Sequence, residues 1–321
     1  MRRGPAGVER LMRPPLWAMT AYFNPTGSCR RIANYRVFRR HMTVPLVTVE
    51  LAHEQPFELA SGDAEILVQI RCRSVMWQKE RLLNVALAHV PHSVSDLVWV
   101  DCDVIFSNDR WADEAAAALE HSALVQPFDS VWNLRKDAAL DAGIDRTHGD
   151  PVGTTFVRRL ADRRITRAVL RARGPSRVRN LLGHAWVARR SLLATHGFYD
   201  ASIIGGGDRD MALAAYGFFD DAIDGQQKNA LSAAHYLRWA KPFHEAVAGR
   251  VQALRGEILH LWHGQLQGRR YMERFAPLHE LGFDPHADIA ISPQGAWEWA
   301  TDKPEVHAYL RDYFHARQED G

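Results

Sequence analysis

Cysteine is scarce in this chain of 321 residues, with three in all. Cys29, Cys72 and Cys102 are scattered, odd in number and form no Cys-x-x-Cys pair. Neither a disulfide framework nor a cysteine zinc site is supported, and a reducing cytoplasm fits best. An excess of charge of one sign is also missing: 40 Lys and Arg against 38 Asp and Glu leave a formal net charge of +2. Such a balance gives no electrostatic case for nucleic acid as a partner. Long apolar runs are absent too. Leu16 to Phe23 is too short to cross a bilayer, and no small-residue cleavage site is evident near it. The expectation is a cytoplasmic protein whose contact with a membrane is at most peripheral. Residues 1–15, with Arg2, Arg3, Arg10 and Arg13 among prolines and glycines, read as a loose basic leader. There is no internal repeat and no low-complexity tract.

What remains is an ordinary globular composition, 46% hydrophobic and 24% charged, in a chain long enough to bury a large α/β core. Leu16 to Phe23 reads as a strand, stopped by the turn residues Asn24-Pro25-Thr26-Gly27. A helix follows over Arg30 to Met42, then strands over Leu46 to Leu51 and Ile66 to Ile70. Val75 to His89 reads as a helix, Leu97 to Phe106 as a strand, Trp111 to His121 as a helix and Ala123 to Phe128 as a strand. This alternation predicts an α/β fold with a mostly parallel central sheet flanked by helices. Residues 266–321 read as a polar, helical C-terminal extension that ends in a helix over Glu305 to Arg317.

Four places carry chemistry. Asp101 and Asp103 interrupt an apolar run, Leu97 to Phe106, and alternation along a strand would point them the same way. Two carboxylates at the end of a core strand repel and are costly to desolvate unless a cation sits between them. His260 and His263 stand three residues apart after Ile258-Leu259, a spacing at which two imidazoles can share a cation. Gly205-Gly206-Gly207-Asp208-Arg209-Asp210 joins a pliable backbone to carboxylates at the start of a helix over Met211 to Tyr216. There Asp208 can cap or act as a base, and Asp210 can orient the loop or bind an acceptor hydroxyl. Finally, Lys79 and Arg81 open a helix whose N-terminus can attract a diphosphate.

Other residues are weaker signals. Glu50 ends the second strand and can meet a ribose or a base edge. Trp132, Trp186 and Trp262 can stack on sugar faces, although core packing suits most of the ten tryptophans. Arg158 to Arg179 holds nine arginines and one acid, Asp162. As a basic helix with an apolar stripe of Leu160, Ile165, Ala168, Val169 and Ala172, it would suit an anionic membrane surface or a phosphate-bearing substrate.

In this order the pieces resemble glycosyltransferases of the GT-A fold, in particular the inverting β-1,4-galactosyltransferase-like group and bacterial family 2 enzymes. That group has an aromatic-x-x-x-x-Leu-Leu-Asn helix before an Asp-x-Asp strand, as Trp77 to Asn84 precedes Asp101 here. Its Gly-Gly-Glu-Asp-Asp-Asp loop resembles residues 205–210, with Gly207 and Arg209 substituted, and its Met-x-x-His pair resembles His260-x-x-His263. The likeness spans roughly residues 16–265, with 158–179 as an arginine-rich insertion. It implies a Rossmann-like GT-A fold that uses a nucleotide-sugar donor, commonly a UDP-sugar, and a glycan or lipid-linked acceptor. By the same resemblance Asp103, His260 and His263 hold Mn2+ or another divalent cation, and Asp208 is the catalytic base. Asp101, Glu50, Lys79 and Arg81 fall on the donor, and Asp210, Trp186 and Trp262 on the acceptor. Three alternatives stay open. A retaining transferase would lack the aligned base, a metal-dependent phosphohydrolase would need a denser ligand set for two metals, and a sugar-binding protein without activity would not need Asp208.

Overall fold

The computed structural model describes residues 16–138, 143–168, 181–271 and 273–321. The expected leader and residues 169–179 of the arginine-rich stretch lie outside the described residues.

Two strands set the frame. β1 (Trp17–Phe23) and β2 (Leu46–Ala52) are apolar almost throughout and buried along nearly their whole length, as strands covered on both faces must be. Their side chains alternate between layers. Met19, Ala21 and Phe23 pack with α2 (Lys79–His89), while Ala18 and Tyr22 pack with Tyr35 and Phe38 of α1 (Cys29–His41). Together with β3 (Ile66–Arg71), β4 (Asp96–Val100), β6 (Leu124–Gln126), β9 (Ala185–Arg189) and β10 (Val251–Ala253) they form a seven-stranded sheet of order β10-β6-β9-β4-β1-β2-β3. Every neighbouring pair is parallel except those made by β9, which runs antiparallel to β4 and β6. The α/β fold with a mostly parallel sheet is what the alternating pattern implied.

The expected strand over Leu97 to Phe106 is in fact two. β4 pairs with β9 up to Val100, the chain bends through Asp101-Cys102-Asp103, and β5 (Val104–Phe106) joins a second sheet of order β5-β11-β7-β8. That sheet is completed by β7 (Ser130–Leu134), β8 (Gly149–Thr154) and β11 (Glu257–His260). An apolar run broken by two charges therefore marks the place where the chain leaves one sheet for another. Apolar periodicity alone could not distinguish this from a single strand.

Further differences are local. α2 starts at Lys79 rather than Val75, because Trp77 donates its N–H to Ile203 O at 2.8 Å. α3 spans Trp111–Ala118. No single basic helix runs through the arginine-rich stretch: α4 (Phe156–Ala161) closes at Asp162, and Arg163 is left-handed at φ 57°. After α5 (Arg190–His196), the helix bearing Asp208 is α6 (Gly207–Ala215), longer than expected. α7 (Phe219–Gly225) and α8 (Ala230–Val247) pack behind it, and Tyr236 of α8 donates to Asp210 O.

The C-terminal segment is not wholly helical. α9 (Phe275–Glu280) leads to an antiparallel ladder of β12 (Ile289–Ile291) and β13 (Trp297–Trp299), then to α10 (Pro304–Ala316). Phe314 of α10 packs edge-on against Phe23 at the end of β1 and stacks on Trp77. The extension thus covers the carboxyl ends of the parallel strands. Among the described residues no helix is long and apolar enough to cross a membrane.

Candidate metal centre and charged cluster

The bend after β4 and the end of β11 are brought together by the β5–β11 ladder. His260 is the register partner of Val104, and Leu261 donates its N–H to Asp103 O at 2.8 Å. The outcome is a compact triad. His263 Nε2 is 3.2 Å from Asp103 Oδ2, and His260 Nε2 is 3.7 Å from Asp103 Oδ1. The two Nε2 atoms are 3.1 Å apart.

A hydrogen bond behind one ring sets its tautomer. Asn133 Oδ1 can only accept, so the 3.0 Å contact to His260 Nδ1 places the proton on Nδ1 and leaves Nε2 a lone pair. His263 Nδ1 faces Glu319 Oε1 at 3.5 Å, which favours the same tautomer. With both rings in that tautomer, two Nε2 lone pairs and the Asp103 carboxyl group converge.

Three features show that these residues fit a divalent cation. Their ligating atoms all lie within 4.8 Å of one another. Asp103 Oδ1 is buried and has no hydrogen-bond partner. The N···N separation of 3.1 Å is close to the edge of an octahedron built on metal–nitrogen bonds of about 2.1 Å. Without a cation the site is electrostatically uneasy. Burial, and then the charge of Asp101, pushes the Asp103 carboxyl up to about 7. Burial and the Arg269 guanidinium push the His263 imidazole down to about 3. Burial, helped by His184 and His263, holds His260 well below its ordinary value.

Beside the triad lies a second cluster. Lys79, the first residue of α2, reaches Asp101 Oδ1 at 2.6 Å and Asp208 Oδ2 at 2.7 Å. Burial alone would favour its neutral form, but the two carboxylates outweigh it and keep the ammonium charged. Burial pushes the Asp208 carboxyl up against the pull of Lys79, whereas Lys79 and His184 overcome burial at Asp101 and hold it below the usual range. Asp208 sits in the first turn of α6. Gly207 before it packs closely on Glu80: a Cβ there would run into the Glu80 carboxyl group. Burial drives the Glu80 carboxyl up to about 8.

The other candidate residues are engaged by neighbours. Lys79, expected on the donor, is held between two carboxylates. Arg81 is turned to Asp200 at 3.0 Å and to the face of Trp297. Glu50 is buried, accepting from Glu58 N at 2.6 Å and from Gln69 Nε2 at 2.8 Å, so its carboxylate anchors the residue 58–59 loop rather than a ribose. Asp210 is fully buried on Ser202 Oγ and Lys228 Nζ, out of reach of an acceptor. Trp186 is a core residue whose Nε1 donates to Leu182 O. Trp262 carries Arg30 and Lys136 over its ring, and Trp132 carries Arg146, which leaves both less open to sugar stacking.

His184 and Arg269, beside the triad, escaped the sequence reading. His184 holds a left-handed backbone at φ 79°, packs its ring 4.9 Å from that of His260, and leaves a buried Nδ1 without a partner. A strained non-glycine residue at such a place is a hint of function. Arg269 is buried, donates to Tyr271 Oη and His263 O, and makes no ion pair among the described residues. With His260, Trp262, Arg135 and Lys136 it lines a cleft of about 320 Å³. No sequence pattern marked either residue, since each gains its meaning from where the chain folds.

No protein family matches the sequence, and no curated protein is similar to it. Solved structures of similar shape exist. Glucosyl-3-phosphoglycerate synthase from Mycobacterium tuberculosis, in complex with Mn2+, UDP and phosphoglyceric acid, is 13% identical, with a TM-score of 0.43 over 92% of this chain and 90% of that one. S. aureus TarS, residues 1–349 in complex with UDP-GlcNAc, is 11% identical, with a TM-score of 0.37 over 77% of this chain and 58% of that one. A 4-diphosphocytidyl-2C-methyl-D-erythritol synthase from Anaerococcus prevotii is 10% identical, with a TM-score of 0.35 over 75% and 87% of the two chains. Likeness at this level leaves the role of each residue to be argued from this chain alone.

Proposed function

We propose that the chain is a metal-dependent glycosyltransferase of the GT-A type. It would move a hexose from a nucleoside-diphosphate sugar, a UDP-sugar first among candidates, to a hydroxyl of a glycan or glycolipid, with inversion. The observation that carries this reading is the convergence of Asp103, His260 and His263, next in the chain to Asp101, which shares Lys79 with Asp208.

Asp103, His260 and His263 would hold manganese or another divalent cation. Bound there, it supplies the positive charge that stabilises a departing diphosphate. Arg269 adds a fixed charge from the same side. A buried guanidinium without a carboxylate is costly, and an anionic ligand offsets that cost. Asp208 is the best-placed base: it is partly exposed, bonded to Lys79 through Oδ2 only, and set at the N-terminus of α6. It would accept the proton of the acceptor hydroxyl as that oxygen attacks the anomeric carbon. A single displacement with one base inverts that carbon. Lys79 keeps Asp208 and Asp101 apart and fixed, and Asp101 stands on the donor side.

The arginine-rich stretch lends less to an anionic acceptor or membrane surface than its composition promises. Arg158 is spent on Asp129 and Arg167 on Asp221.

The reading is tested by incubating the protein with a panel of nucleotide sugars and Mn2+ and following release of the nucleoside diphosphate. One donor is expected to be consumed faster than the rest, in an Asp103-dependent manner. Release from no donor, or release unchanged in Asp103→Asn, would overturn the reading.

A further inference from the structure

We propose that residues Arg317–Asp320 form a strap coupled to metal binding, in which Glu319 positions the ligand His263 from behind; this rests on the metal centre proposed above. The strap follows α10 directly. Its Glu319 is buried and gathers three partners: Arg31 Nη1 at 3.1 Å, Arg317 Nη2 at 2.6 Å, and His263 Nδ1 at 3.5 Å. The first two hold the carboxylate in place, and the third is the face of His263 opposite the ligating Nε2.

Two further contacts show that the strap has a prepared seat. Asp320 accepts from Ser28 Oγ at 2.7 Å, Arg30 N at 2.8 Å and Cys29 N at 3.2 Å, capping the start of α1 from nearly the other end of the chain. Gly264, directly after His263, has φ 90°, and a Cβ there would lie 2.7 Å from Arg317 O and 3.0 Å from Gln318 O. The loop that carries His263 is thus shaped to take the strap backbone against it.

The physical consequence is mutual. A cation on Nε2 keeps the ring proton on Nδ1, where it faces Glu319, and a carboxylate there orients the ring and makes Nε2 a better donor. Whatever the docked strap adds to metal affinity, the metal adds to docking. His263 was legible as a ligand from spacing, but its support lies 56 residues further on in the sequence.

The experiment is calorimetric titration of the full chain with MnCl2. Glu319→Gln is expected to bind Mn2+ about 10–100-fold more weakly than the wild type, and Glu319→Asp to recover part of the loss. Because Glu319→Gln strands Arg31 and Arg317 and can fail to fold, Asp320→Asn provides a second route. It loosens the strap only at α1 and is expected to weaken Mn2+ binding several-fold. Hydrogen exchange supplies the reciprocal readout, since Mn2+ is expected to slow the amides of residues 317–320 in the wild type. Equal Mn2+ affinity in the folded variants, or exchange at 317–320 indifferent to Mn2+, would overturn the strap and leave the metal centre standing. A wild type that binds no Mn2+ would overturn both.

Discussion

The Nε2 atoms of His260 and His263 face each other across 3.1 Å, with Asn133 Oδ1 3.0 Å behind His260 and Glu319 Oε1 3.5 Å behind His263. With both ring protons on Nδ1 the two lone pairs repel, and Asp103 adds a negative charge beside them once it ionises. A divalent cation turns all three terms favourable. Added Mn2+ is therefore expected to raise the melting temperature, by mass action on the folded state. Mg2+ is expected to do so less, because imidazole suits transition metals better than magnesium. A melting temperature indifferent to Mn2+ and to chelator would count against the centre.

Asp208→Asn keeps the shape of the side chain and removes its basicity. Turnover is expected to fall by about 10²–10⁴-fold, the usual contribution of a positioned base, with donor affinity nearly unchanged. Steady-state kinetics on the donor found by screening would measure it. A loss near tenfold would reduce Asp208 to a partner of Lys79.

Lys79 has a different signature. Lys79→Met leaves Asp101 and Asp208 facing each other without a cation. Breaking a buried pair costs about 3–5 kcal/mol, less the share that water recovers at carboxylates that are 26% and 23% exposed. Urea unfolding is expected to show a clear loss of stability. The same measurement on Arg81→Met should show less, since Asp200 keeps Asn84 as a partner.

Acid should destabilise the protein away from the metal centre as well. Burial, then the neighbouring His286, Arg238 and Lys228, pushes His235 down to about 4, and burial pushes His279 down to about 4. Unfolded imidazoles titrate near about 6.5, so between these values the unfolded chain binds protons that the folded rings refuse. Stability from this source is fully present above about 6.5 and is lost as pH falls toward 4. Asp103 runs the other way in the metal-free protein: its carboxyl, raised to about 7, favours folding at low pH and loses that contribution as pH rises through 7. Metal must displace that proton, so Mn2+ affinity is expected to rise with pH across the same range. Calorimetry in buffers of different ionisation heat measures the proton released.

Much of this was legible in the sequence, and the reasons are physical. β1 and β2 are apolar along their length because both faces are covered, and Asp103, His260 and His263 have side chains whose chemistry suits a metal wherever the chain brings them. Less was legible where burial decides the role. Glu50, Asp210 and Trp186 look like site residues in one dimension. Each proves to be buried: Glu50 and Trp186 spend their polar atoms on their own fold, and Asp210 gives Oδ2 to Ser202 and Lys228. The break between β4 and β5 was hidden because apolar residues stand on both sides of it. His184, Arg269 and Glu319 had no signature at all, since a left-handed backbone, a missing counter-ion and support from the C-terminal strap exist only in three dimensions.

The central claim is that the triad serves sugar transfer. Its most direct test is release of nucleoside diphosphate from a UDP-sugar panel by the wild type and by His263→Ala, with Mn2+ or with chelator. The expected result is release by the wild type with Mn2+, at least 100-fold (on the order of a lost metal ligand's effect) above both the chelated wild type and His263→Ala. Equal release in all three samples would contradict the claim.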